Sequence, residues 1–79
     1  MIADISPATC RAARALLAWP QQQLASAANI GLSTVKSFEG GNTLPRRNSL
    51  DAMQRALEAA GVTFITGGEL GVKLRKAGS

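Results

Sequence analysis

From Pro20 to Gly41 the chain reads PQQQLASAANIGLSTVKSFEGG, and these residues leave little room for anything but two short helices. Pro20 is a start signal, because its fixed φ suits the N-terminal end of a helix. Gln21 to Ala28 are good helix formers, with Leu24, Ala27 and Ala28 as an inner face. Asn29 can take the left-handed conformation that ends a helix, and Ile30 follows as an apolar plug. A second helix is expected over Leu32–Glu39, with Val35 and Phe38 facing inward. Ser33 and Ser37 then lie on the opposite side with Lys36 beside them, and Gly40-Gly41 stops the helix. Helices of this length are not stable in isolation, so both must be held by what flanks them.

The flanks supply that support. Ser6-Pro7 predicts an N-cap followed by proline in the first turn, and a helix over about residues 7–17. Cys10, Ala13, Leu16 and Leu17 share one side of it, Arg11 points away, and Arg14 lies at the border of the apolar face. After the loop NTLPRRN, Asn48 or Ser49 is expected to cap a longer helix with Leu50, Met53 and Leu57 as its buried stripe, ended by Gly61. The period then changes. VTFI and VKLR read as strands, the latter alternating Val72 and Leu74 with Lys73 and Arg75, joined by the hairpin-length loop at 66–71. A lone hairpin is marginal in water, so it must cover the protein's own core or pair with another chain. Trp19, Val35, Phe38, Met53 and Leu57 are expected in the core, and Cys10 as a half-buried core residue with no reactive thiolate.

Composition narrows the function. Seventy-nine residues make one small domain of marginal stability, for which help from a partner chain is a reasonable expectation. A single Cys and no His leave no disulfide framework and no zinc cluster, and fit a reducing interior. Nine Lys and Arg against five Asp and Glu give +4, a balance suited to a polyanion. Residues 15–35 carry no charge, but Pro20, three glutamines, Asn29 and two serines break the run, so no membrane span is expected. There is no basic-then-apolar leader either. The serines lack a His or paired Lys and no carboxylates form an evident dyad, so no enzyme activity and no cofactor are expected. The glycines at 66–71 miss the dinucleotide fingerprint and precede no helix.

Two short helices joined by a tight turn, the second exposing small polar side chains, describe a helix-turn-helix. Ser, Thr and Lys on that outer face can hydrogen-bond base edges in a major groove; on composition alone they would read as a solvated face. The segment RALLAWPQQQLASAANIGLSTVKSFEGG, the following Pro45 and the closing helix resemble the Cro/C1-type (XRE family) helix-turn-helix transcriptional regulators. The resemblance runs over about residues 11–62. It implies a mainly α, lambda-repressor-like helical bundle over residues 1–61, followed here by a C-terminal β-hairpin and tail over 62–79 as a possible dimerisation element.

The resemblance also implies roles by position. Leu32, Ser33, Lys36 and Ser37 would read bases. Gln21, Thr34, Gly40, Gly41, Asn42, Arg46 and Arg47 would hold the sugar-phosphate backbone, and Gln21 would support the recognition helix as well. Arg14 and Glu39 match an Arg–Glu pair tying the first helix to the end of the third. Two positions depart from the pattern. Gly31 stands at the recognition helix's N-cap in place of Ser or Thr, a difference of a few tenths of a kcal/mol. Leu32 is apolar where relatives carry Gln or Arg, which suggests contact with a thymine methyl. The expected protein is a cytoplasmic, homodimeric repressor or autoregulator binding double-stranded DNA. The alternatives are the antitoxin of a toxin–antitoxin pair, with a toxin as its partner, and an antiactivator module whose polar helix meets another regulatory protein.

Overall fold

The computed structural model describes residues 5–65 and 71–74. They form a mainly helical unit with a short antiparallel hairpin at its C-terminal end: α1 (Pro7–Leu17), α2 (Gln21–Ala28), α3 (Leu32–Glu39), α4 (Arg47–Ala59), β1 (Val62–Ile65) and β2 (Gly71–Leu74). Each early boundary has a local cause. Ser6 and Thr9 form a reciprocal capping box at the start of α1, satisfying two backbone donors at once. Ala18 at the end of α1 and Asn29 at the end of α2 both take left-handed conformations, at φ 56° and 57°. Asn tolerates that region; Ala does so at a cost. Gly41, at φ +75°, turns the chain out of α3.

The core lies where the four helices and the hairpin converge. Cys10, Ala13, Leu24, Ala25, Val35, Phe38, Met53, Leu57 and Val62 are buried there, with Ile5 and Ala28 at its edge. Several inner faces are rotated from their expected positions. In α2 the buried alanines are Ala25 and Ala28 while Ala27 is exposed, because this helix packs against both α3 and α4. In α1 the stripe runs through Cys10 and Ala13 toward the half-buried Leu17, and Leu16 is left exposed. Cys10 is fully buried rather than half-buried. Trp19 and Leu50 are half-buried, packed against the core without being enclosed by it.

Helix α4 begins earlier than capping chemistry suggests. Arg46 occupies the N-cap with no side-chain bond, and Asn48 and Ser49 lie inside the first turn. Starting there lets the Ser49 and Leu50 amides donate to the Arg46 carbonyl at 3.0 and 3.1 Å, two bonds that a cap at 48 or 49 would forgo. Arg47 is thus the first helical residue, and the loop ends at Arg46.

In the hairpin, Val62 pairs with Leu74 and Phe64 with Val72, so these four side chains share a face. Both strands pack on α1, and β1 also on α4, so the hairpin covers the protein's own helices. The expected alternation holds only in part, since Leu74 is 46% exposed at the rim of that face. Gly71 belongs to β2; the rest of the turn at 66–70, Arg75 and the tail to 79 lie outside the described residues. Among the described residues, no helix is long and apolar enough to cross a membrane.

Candidate nucleic-acid interface

Helix α3 carries the candidate site, and its inner side explains how it is held. Val35, Phe38 and Glu39 are buried. Glu39 is a carboxylate inside an apolar core, with a side chain only 2% exposed, a costly position unless every lone pair is used. They are. Arg14 reaches it with two prongs, Nε to Oε2 at 2.7 Å and Nη2 to Oε1 at 2.6 Å. Gln21 donates its Nε2 hydrogen to Oε1 at 3.0 Å, and the Cys10 thiol donates to Oε2 at 3.0 Å. Each carboxylate oxygen accepts two bonds.

The electrostatics follow from this geometry. Burial alone would raise the Glu39 pKa, but the bonds from Arg14, Cys10 and Gln21 and the Arg14 charge outweigh it and hold the carboxyl below its ordinary value. The hydrogen bond to Glu39 and its charge raise Arg14 despite burial. The Cys10 thiol is pushed up, first by burial and then by its bond to Glu39 and the Glu39 charge. It is therefore a hydrogen-bond donor and not a nucleophile.

The Arg14–Glu39 pair thus stands where the sequence puts it. Gln21, which the resemblance assigns to supporting this helix, directs its amide to Glu39. Two further features of the cluster were not foreseen: Cys10 is a ligand of the same carboxylate, and Arg11, expected to point away, donates through Nη1 to the Glu39 backbone carbonyl. A signal was present: Cys10 and Arg11 each lie one helical turn before Arg14, so whatever α1 offers at Arg14 is also offered by its neighbours at i−3 and i−4. Arg14 uses its remaining prong on the Trp19 carbonyl at 2.8 Å. That bond ties the α1–α2 connection into the cluster.

The outer side of α3 is open. Ser33 and Lys36 are exposed; Thr34 and Ser37 are half-exposed. Leu32 is half-buried and packs against the core, so only part of its side chain is available outward. Past the helix, Gly40, Gly41, Asn42 and Arg46 are exposed, as is Arg47 at the start of α4. The Asn42 amide folds back over Gly40, where a Cβ would come within 3.1 Å of its Nδ2. Among the described residues, the side chains of Lys36 and Arg46 have no hydrogen-bond or ion-pair partner.

The helix starts differ in a telling way. The N-terminus of α1 is closed by its capping box, whereas α2, α3 and α4 begin at Pro20, Gly31 and Arg46 with no side-chain cap. Their first amides, Gln21 and Gln22, Leu32 and Ser33, Arg47 and Asn48, have no acceptor within the helix. Such amides suit anionic oxygens. The chain matches no protein-family model, and no match was found among curated proteins.

Proposed function

We propose that the protein is a sequence-specific, double-stranded DNA-binding transcription regulator of the XRE type, a repressor or autoregulator working in the cytoplasm. Helix α3 reads the major groove, and two protomers place their α3 helices about 34 Å apart on one face of the duplex. The observation that carries this reading is the division of labour within α3. Its inner side and C-terminal end are clamped by Arg14, Gln21, Cys10 and Arg11, while Ser33, Lys36 and the open parts of Leu32, Thr34 and Ser37 stay on one accessible face. A rigidly held helix with small polar side chains outward is what base readout requires.

The backbone contacts fall to the residues around it. Gln21 is placed to steady α3 through Glu39, and the α2 amides at its position suit a phosphate. The 40–42 turn with Arg46 and Arg47 supplies donors and charge at the far end.

A labelled duplex titrated at several salt concentrations tests the reading. If a dimer neutralises roughly 6 to 8 phosphates, log K falls with log[salt] with a slope of about −5 to −7. Arg46→Ala weakens binding to all sequences alike and reduces the slope by about 1 per protomer. Salt-independent binding, or no binding to any duplex, refutes the proposal.

A further inference from the structure

The last four carbonyls of a helix have no intrahelical donor, and at the end of α3 all four are satisfied. Lys36 O accepts from the Gly40 amide at 3.0 Å, Ser37 O from Asn42 at 2.9 Å and Phe38 O from Gly41 at 3.0 Å. The fourth, Glu39 O, takes its hydrogen from the Arg11 guanidinium. Three donors thus come from the turn that follows, and one from α1.

That one is not needed for charge balance. Arg14 already neutralises the Glu39 carboxylate with a two-pronged bond, and among the described residues the Glu39 carbonyl is the sole partner of the Arg11 guanidinium. A cation on the last carbonyl also sits at the negative end of the α3 dipole, where it is favoured. The side chains of Arg11 and Arg14 therefore grip Glu39 from both its ends, backbone and carboxylate. Only the Arg11 contact lies on the peptide unit leading directly into Gly40.

We propose that Arg11 is a positioning residue for recognition: it locks the C-terminal end of α3 and the 40–42 turn into one rigid unit, and so sets how faithfully α3 discriminates between sites. The inference rests on the DNA-binding reading above for its consequence, but not for the lock itself. Removing Arg11 frees the Glu39 peptide to rotate, loosening the three turn amides that follow it. The α3 axis can then adapt to different base steps, and the penalty for a wrong site falls. Arg11 itself touches no base in this account.

Amide hydrogen exchange and DNA competition on the full chain test it together, using Arg11→Ala and Arg11→Lys. In R11A the Gly40, Gly41 and Asn42 amides exchange about 10-fold faster while the Leu57 amide in α4 is unchanged. The preference for a selected duplex over random duplex falls by roughly 10-fold, with the salt slope retained on both. R11K, which keeps a donor and the charge but loses the planar fork, recovers part of each effect.

Unchanged exchange at 40–42 overturns the proposal. So does faster exchange with undiminished preference, which would make Arg11 a structural cap alone. Equal weakening on both duplexes with a slope reduced by about 1 per protomer also overturns it, since Arg11 would then be a phosphate contact. Should the wild-type protein bind no duplex, the DNA-binding reading fails and the recognition role falls with it, while the exchange arm still decides whether Arg11 locks the turn.

Discussion

Replacing Glu39 with glutamine tests the clamp on α3 with almost no change in shape. The wild-type carboxylate accepts two bonds on each oxygen, from Arg14 and Gln21 on one and from Arg14 and Cys10 on the other. In Glu39→Gln one oxygen becomes an amide nitrogen facing two donors, and Arg14 keeps its charge without a counterion. Leaving one member of a buried pair alone costs about 3–5 kcal/mol. The Arg14 side chain is 17% exposed, so water recovers part of that, and a loss of about 2–4 kcal/mol is expected. For a domain of this length the total stability is about 4–12 kcal/mol, so the variant sits close to unfolding. Urea unfolding followed by Trp19 fluorescence and circular dichroism measures the shift in midpoint at constant slope.

Adding Arg14→Met to Glu39→Gln removes the stranded charge, and the double variant is expected to regain more than about 1 kcal/mol relative to the sum of the singles. The pH dependence has a definite sign. Because the native carboxyl is held below its ordinary value, its stabilisation is complete above the ordinary Glu pKa of about 4.3 and is lost as pH falls through the native value. E39Q lacks that acid limb. A loss under about 1 kcal/mol, or strictly additive single variants, would refute the reasoning.

The Cys10 thiol gives the opposite limb. Its native pKa is raised, so its contribution is intact below the ordinary thiol value of about 8.5 and declines at higher pH by up to about 1.4 kcal/mol per unit. Cys10→Ala should show a flatter alkaline profile in urea titrations, and the native wild-type thiol should resist a disulfide reagent until the protein unfolds. Ala18→Gly relieves a left-handed alanine at the end of α1 and should raise stability by about 1 kcal/mol, seen as a higher melting temperature. Gly31 is extended at the start of α3 with room for a Cβ, 3.7 Å from Ser33 Oγ. Gly31→Ser should therefore add about 0.5–1 kcal/mol through a cap bond and a less flexible unfolded chain; a destabilised variant would contradict the extended N-cap.

What was legible in the sequence is what local chemistry decides. Pro7, Pro20, Asn29 and Gly40-Gly41 punctuate the first three helices, and α3 spans Leu32–Glu39 as its apolar spacing predicts. The start of α4 was not legible, because two extra backbone bonds outweighed the preference of Asn48 and Ser49 for a cap. Face assignments slipped at Leu16, Ala27 and Leu74, where the direction of a neighbouring element selects among similar apolar positions. At the candidate site, the Arg14–Glu39 pair could be matched to a pattern, but the full donor set around Glu39 could not. It depends on which α1 side chains lie over the end of α3, a tertiary fact. The exposed polar face of α3 was read correctly in outline. The partial burial of Leu32 was not, because it arises from packing against the core.

Binding selection from random duplexes at one fixed salt concentration tests the central claim most directly, with Ser33→Ala and Ser37→Ala variants run beside the wild-type chain. The account predicts two related half-sites whose centres lie about 10 base pairs apart, with each serine variant shifting the preferred bases within a half-site but not their spacing. Recovery of no enriched sequence, or of the same sequence from all three proteins, would contradict the assignment of α3 as the reading helix.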